Sequence, residues 1–286
     1  MHLLIFGLGY CGMALARLAR AQGVEVSATS RDPGRVAAPE GVAVLRFGAA
    51  LGAGVTHVVA TAAPDAQGDP VLAAYGAALA ASPTLRWAGY LSTTGVYGDR
   101  GGGWVDEATA VAPGAARSRR RVAAEEGWAR LVEGGLAGLL AVDLFRVAGI
   151  YGPGRSALDD VRSGRARLVL KPGHAFGRIH RDDIAGAVLA AAMQARGAGV
   201  RVLHLADDVP SESAAVIEEA ARLLGVAAPP AVAFDDAVAG MSEMARSFWA
   251  ENRLVASAAT QAMLGYRWRY PSYREGLRAI LDDERG

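Results

Sequence analysis

Six residues near the start of the chain, Gly7-Leu8-Gly9-Tyr10-Cys11-Gly12, have the types and spacing to cradle a diphosphate. In a G-x-G-x-x-G array each glycine answers a separate steric demand. Gly7 permits a tight turn, Gly9 lets the backbone approach the anion, and Gly12 lets a helix pack against its strand. The array becomes a dinucleotide site only when a strand precedes it and a helix follows. Here the apolar run Met1-His2-Leu3-Leu4-Ile5-Phe6 leads in, and Leu15, Leu18 and Ala19 share one face of the helix beyond. The amides at that helix's amino end would face the phosphates, with Tyr10 and Cys11 beside them.

The choice of nucleotide falls on the next strand, Val24-Glu25-Val26-Ser27-Ala28-Thr29, closed by Ser30-Arg31-Asp32-Pro33-Gly34. A site for NAD usually ends this strand on a carboxylate that holds the ribose 2′-hydroxyl; one for NADP places Arg nearby for the 2′-phosphate. Small Ser30 followed by Arg31, whose planar fork suits phosphate, favours NADP over NAD. Asp32 comes late and beside a Pro-Gly turn, where capping is the simpler role. Thr61 and Ala62, at the close of a later strand, complete the candidate cofactor contacts.

Composition bounds the alternatives. The 286 residues are 52% hydrophobic and 21% charged, enough for a sizeable core with a smaller cap. A net charge of +1 offers no general attraction to nucleic acid or to an anionic membrane. Cys11 is the only cysteine, so no internal disulfide can form and a reducing cytoplasm is compatible. The start has no basic region ahead of a signal-like core. Residues 47–64 carry no formal charge, but their glycines and β-type centre fit a buried strand better than a membrane span. With 5 histidines and one cysteine, all scattered, no zinc-ligand spacing appears.

These chemical groups need a scaffold. Strands are expected at 2–6, 24–29, 42–47, 56–61, 87–92 and 139–145, with helical stretches such as 71–81 and 119–133 between them. That alternation predicts an α/β fold, a Rossmann-like doubly wound parallel sheet with a smaller C-terminal cap. Residues 1–150 would form the dinucleotide-binding core and 151–286 mainly the cap, with 179–205 returning to the core. Asp182-Asp183-Ile184 would open a helix through Met193 with a carboxylate as its N-cap, 200–205 would return as a core strand, and 211–224 would form an amphipathic helix.

Further segments carry a resemblance. Leu91-Ser92-Thr93-Thr94-Gly95-Val96-Tyr97-Gly98 resembles the strand end of extended short-chain dehydrogenases/reductases, where their catalytic Ser or Thr sits. Arg146-Val147-Ala148-Gly149-Ile150-Tyr151-Gly152-Pro153-Gly154 is similar to their segment after the sixth strand, and Ile179-His180-Arg181-Asp182-Asp183-Ile184 to their later helix opening. Leu264-Gly265-Tyr266 and Tyr270-Pro271-Ser272-Tyr273-Arg274-Glu275-Gly276-Leu277 also fit epimerase/dehydratase-like chains of this kind. The resemblance spans nearly the whole sequence. It implies an oxidoreductase or epimerase-like enzyme acting on a small, anionic or sugar-nucleotide substrate, and a homodimer through helices near 71–81 and 117–133.

One element of that family is missing. Its active site uses Tyr-x-x-x-Lys; aligning Ala123-Ala124-Glu125 with the family's helix places Arg117 and Arg121 at those two positions. Lys171 is the sole lysine and Arg167 lies four residues before it, so no shifted alignment restores the motif. A guanidinium stays charged up to a pKa above about 12, which makes Arg117 a poor proton relay. Arg121 could still bond a nicotinamide ribose or stabilise an oxyanion. Cofactor binding can therefore outlive standard catalysis, and a catalytically inactive sensor of the dinucleotide is the alternative to an enzyme.

Each candidate has a plainer reading. Thr93, or its neighbour Ser92, supplies the family hydroxyl or satisfies local backbone. Tyr97 replaces the absent acid or, more simply, packs beneath the cofactor loop. Asp106-Glu107 covers a substrate or caps a helix. Arg117, Arg119, Arg120 and Arg121 bind an anion or, for at least two of them, form an exposed face. Arg155, Arg165 and Arg167 would line the cap entrance. His180 reads as a structural residue, and Cys11 as a packing residue whose pKa the helix end could lower.

Overall fold

A computed structural model describes residues 1–52, 54–134 and 140–285. Seven parallel strands build the central sheet: β1 (His2–Phe6), β2 (Glu25–Ser30), β3 (Ala43–Arg46), β4 (His57–Ala60), β5 (Trp87–Thr93), β6 (Ala141–Val147) and β7 (Gly199–Leu205). Their order is β7-β6-β5-β4-β1-β2-β3, so the direction of winding reverses between β1 and β4. In open α/β sheets that reversal, at the carboxyl ends of the strands, is where ligands bind. Register brings the three relevant ends level. Phe6 pairs with Thr29 on one side and Ala60 on the other, so Gly7, Ser30 and Thr61 stand level at the strand ends.

Alternation along the strands feeds two cores. Leu3 and Ile5 face α1 (Tyr10–Ala21) and α5 (Arg181–Met193), through Leu15, Ala16, Ile184 and Val188. Leu4 and Phe6 face α2 (Pro70–Ala80) and α3 (Ala116–Gly134), through Val71, Tyr75 and Trp128. Each fully buried large side chain contributes about 1.5–3 kcal/mol, so both helical layers are held by their apolar faces. Asp69 fixes the start of α2 by accepting from the backbone N–H groups of Val71 and Leu72 at 2.8 and 2.9 Å.

The remaining chain forms the cap. α4 (Ala157–Arg162), α6 (Ser213–Leu224) and α9 (Tyr273–Asp283) enclose Leu158, Val216, Leu277 and Ile280, while α7 (Glu243–Trp249) and α8 (Ala258–Leu264) lie along the C-terminal segment. Short strand pairs connect it to the core, among them Arg178–His180 beside Gly149–Tyr151.

The expected elements form, with boundaries moved for physical reasons. The strand expected at 139–145 occupies Ala141–Val147, and residue 139 lies outside the described residues. It continues through Arg146 because that guanidinium is buried against Glu125 at 2.8 Å. α5 is capped by His180, whose Nδ1 accepts the Asp182 N–H at 3.2 Å, and not by the expected carboxylate. In the 211–224 stretch, Ser211–Glu212 pairs with Ala175–Phe176 before α6 begins. Among the described residues no helix is long and apolar enough to cross a membrane; within 47–64, His57–Ala60 forms β4.

Candidate functional site

Two of the loop's three glycines have a steric reason in the structure. Gly7 has φ +101°, and a Cβ there would sit 2.8 Å from Thr61 Oγ1. Thr61 in turn donates to the Gly7 carbonyl at 2.7 Å, tying the loop to the end of β4, with Ala62 alongside. A Cβ on Gly12 would meet the Gly7 oxygen at 2.2 Å, so helix and turn are in backbone contact. Gly9 is different. It caps α1 with an ordinary φ of −87°, and a Cβ there would meet nothing within 4 Å. The first turn of α1 has no acidic residue and no side-chain cap. No side chain caps its first N–H groups, an arrangement that suits an anion.

The cap reaches this loop through Tyr10. Its hydroxyl donates to the Pro153 carbonyl at 3.1 Å, and the guanidinium carbons of Arg181 and Arg155 lie 4.9 and 5.8 Å from its ring centre. Cys11 behaves opposite to the expectation: burial pushes its thiol pKa up, outweighing the lowering by Arg155 and Arg181. At the end of β2, Ser30 Oγ accepts the Asp32 N–H at 3.1 Å. Arg31 is exposed and has no partner among the described residues. Asp32 stands at the start of a short 3₁₀ turn, but its side chain makes no cap bond and pairs with Arg35 at 3.4 Å.

At the end of β5 the two hydroxyls separate. Ser92 is buried and donates to Glu125 Oε1 at 2.5 Å. Thr93 points to the other face and lines a cavity of about 390 Å³ between the strand ends and the cap. Its Oγ1 accepts the Gly95 N–H at 3.1 Å, which leaves the hydroxyl hydrogen free to donate. Tyr97 is fully buried and is not among the lining residues. His204 Nδ1 can only donate to the Ala256 carbonyl, 2.7 Å away, and burial lowers its pKa, so Nε2 accepts. The Tyr97 proton therefore points at His204, 2.5 Å away, and Arg146 Nη1 donates to the same oxygen at 2.7 Å. Burial raises the Tyr97 pKa further from the neutral range. Packing beneath the site is the role this geometry supports.

The arginine cluster divides by helical face. Arg121 donates from Nη1 to the Leu91 carbonyl at 2.6 Å and to Tyr90 Oη at 3.1 Å, which hooks it to the carboxyl-end half of β5. Arg117 lines the cavity, donating to Ser247 Oγ at 2.8 Å with its guanidinium 4.2 Å from the Phe248 ring centre. Arg119 and Arg120 are exposed. Glu107 Oε1 accepts from Thr260 N–H and Oγ1 at 3.1 and 2.6 Å, a cap for α8 rather than a cover for substrate. Asp106 bonds Thr109 within its own loop. His180 is buried against Tyr151 and Tyr270, and burial holds its pKa down at about 4, so it remains neutral.

Other lining residues went unforeseen: Phe176, Arg178, Trp249, Glu251 and Arg253 all face this cavity. Arg155 and Arg165 line an adjoining hollow, whereas Arg167 is exposed and lines neither. A larger groove, about 660 Å³, runs between α1 and α5, away from Thr93 and the strand ends. Of the candidate catalytic groups, Thr93 and Arg117 line the cavity at the strand ends.

No family model and no curated protein matches the chain. Among solved structures, a functionally unknown conserved protein from Silicibacter pomeroyi DSS is 42% identical, with a TM-score of 0.89 over 100% of this chain and 99% of its own. A protein described as a "putative NAD-dependent epimerase/dehydratase" from Methylobacillus flagellatus is 25% identical, with a TM-score of 0.70 over 100% of this chain and 99% of its own. Human epimerase family protein SDR39U1, solved with NADPH, is 20% identical, with a TM-score of 0.78 over 99% and 100%. The last likeness bears on fold alone. Together with the sheet order, it makes the architecture Rossmann-like.

Proposed function

Because the chain belongs to the family of the functionally unknown Silicibacter pomeroyi protein and shares the fold of NAD-dependent epimerase/dehydratases, we propose that it is an NADP(H)-binding short-chain dehydrogenase/reductase with a non-standard active site. The observation that carries this reading is Gly9. Gly7 and Gly12 are glycines because protein fills the space of a Cβ, whereas the space beside Gly9 is empty and borders unpaired helix-end donors. A glycine with room beside it at a helix amino end is the arrangement a diphosphate requires.

A bound nicotinamide dinucleotide supplies the hydride chemistry. The chain's own residues bind and orient. The Gly7–Gly12 amides hold the diphosphate, and unpaired Arg31 holds a 2′-phosphate, which is the ground for NADP over NAD. Thr93 donates its free hydroxyl hydrogen to a substrate oxygen, while Arg121, fixed at Leu91, presents its remaining N–H groups to the cofactor ribose or to an oxyanion. Arg117 lines the cavity and serves electrostatics rather than proton transfer. Residues 1–150 act as the dinucleotide core and most of 151–286 as the substrate cap, with 179–205 returned to the core. A cytoplasmic setting and a homodimer through α2 and α3 complete the reading.

Stopped-flow oxidation of NADPH against a metabolite panel tests it. Substrate-dependent turnover establishes an oxidoreductase. The second reading, a catalytically inactive dinucleotide sensor, is favoured by the absence of Tyr-x-x-x-Lys and the inward Tyr97 proton. Tight binding with no turnover across the panel would select it.

A further inference from the structure

Helix α5 carries a pattern that neither the core nor the cofactor loop explains. From Ile184 to Met193 every residue is apolar or glycine. A helix that is apolar all round is normally buried on every side. This one is not, because the groove of about 660 Å³ runs between it and α1. Half-buried Ala190 and exposed Met193 line that groove, together with Leu189 and Ala185 of α5 and Leu18 and Ala14 of α1. A solvent-facing helix face usually carries charge, so an apolar trough here marks a surface that something covers. One wall is fixed in advance. Tyr266 Oη donates to Asp183 Oδ1 at 3.0 Å and packs so closely on Gly186 that a Cβ there would collide with it.

The charged rim of the groove is unbalanced. Its one carboxylate, Asp182, is already paired with Arg181 at 3.0 Å. Arg17 and Arg269 also line the groove, both exposed, and neither makes an ion pair among the described residues. The Arg269 guanidinium carbon lies 5.4 Å from the Tyr270 ring centre. Both cations belong toward one end. Helices α1 and α5 start level, with the Arg181 guanidinium carbon 4.9 Å from the Tyr10 ring centre. The Arg269 N–H donates to Asp183, in the first turn of α5, at 2.7 Å. Helical side chains lean toward the amino end, which directs Arg17 the same way.

The shape narrows the choice of occupant. Helix α5 is 13 residues long, about 18 Å, so the groove has a mean cross-section of about 37 Å². An α-helix with its side chains is about 10–12 Å across and needs more than twice that section. A single extended methylene chain does not. We propose that the groove between α1 and α5 binds a free fatty acid, its carboxylate on Arg17 and Arg269 and its chain along α5 toward Met193. The apolar trough matches the tail, and the two unpaired guanidinium groups match the head. The groove lies away from the strand ends, so the inference does not rest on the cofactor reading.

Calorimetry on the full chain tests it with monomeric decanoate, octanoate, decanol and decyltrimethylammonium as probes. Decanoate should bind about tenfold more tightly than octanoate, because each buried methylene adds about two- to fourfold. It should also bind at least about tenfold more tightly than the neutral and cationic probes of the same length. A protein carrying Arg17→Gln and Arg269→Gln together should lose about tenfold of decanoate affinity and keep its affinity for decanol. Ala190→Trp, which fills the groove, should abolish decanoate binding. Should Ala190→Trp fail to fold, Met193→Glu replaces it: at that exposed position a carboxylate beside the tail should weaken decanoate about tenfold or more. Equal affinity for all head groups, or undiminished decanoate binding in the folded groove variants, would overturn the proposal. So would binding to phosphatidylglycerol vesicles without binding of monomeric decanoate, which would make the groove a membrane contact. Self-association broken by Ala190→Trp, with no decanoate bound, would overturn it in favour of a second copy of the chain.

Discussion

Adding one methyl group at Gly9 and one at Gly12 should have opposite consequences, and the contrast follows from the space around each. At Gly9 the backbone already has φ −87°, accessible to any residue, and an added Cβ would meet nothing within 4 Å beyond its chain neighbours. Alanine is a weaker N-cap than glycine, but it lowers the entropy of the unfolded chain by a comparable amount. Gly9→Ala should therefore change stability by less than about 0.5 kcal/mol. The methyl would nevertheless occupy the closest approach of a diphosphate, and NADPH affinity should fall about ten- to hundredfold, or about 1.4–2.7 kcal/mol. At Gly12 the Cβ would lie 2.2 Å from the Gly7 carbonyl oxygen, and helix α1 must shift to relieve it. Gly12→Ala should cost about 1–3 kcal/mol of stability, the range for overpacking, and lose cofactor affinity as well. Thermal melting with and without NADPH measures both quantities. A Gly9→Ala protein that melts like the wild type and binds NADPH equally well would refute the assignment of that open space to a diphosphate.

Three further outcomes are expected. Arg31→Ala should weaken NADPH binding about ten- to hundredfold, the loss of a charge-assisted contact, and leave NADH binding unaltered; parallel calorimetric titrations check it. Asp207→Asn should stabilise the protein at pH 8 by up to about 5 kcal/mol and have little effect near pH 4. The sign follows because the folded-state pKa, about 8, lies above the ordinary carboxylate value, so Asp207 costs stability as pH rises through that interval; denaturant melts across pH measure the slope. Arg146→Met should cost about 3–5 kcal/mol, because Glu125 would be left charged and buried without its partner, and urea unfolding would show it.

The glycine loop, the strands and the sheet class were legible because their causes are local. Gly7 needs positive φ, Gly12 needs the absence of a Cβ, and the apolar runs need burial, all of which show in residue type and spacing. What escaped depends on partners distant in the chain. The strand expected to end at 145 runs on through Arg146 because Glu125, 21 residues away, pairs with it inside the fold. The proton of Tyr97 could be placed only once His204, 107 residues on, was seen to accept it. The Cys11 pKa moved opposite to expectation because folding buries the thiol, a cost that a helix-end argument leaves out. The cavity brings together Thr93, Arg178 and Trp249 from three separate parts of the chain, and no spacing rule joins them.

The central claim, that the first loop cradles the diphosphate of a nicotinamide dinucleotide, is tested most directly by titrating NADPH and NADH into ligand-stripped full-length protein in a calorimeter. One NADPH per chain should bind with a Kd of about micromolar order, more tightly than NADH. A folded protein that gives no binding heat with either nucleotide at about 1 mM, across two temperatures, would contradict the account.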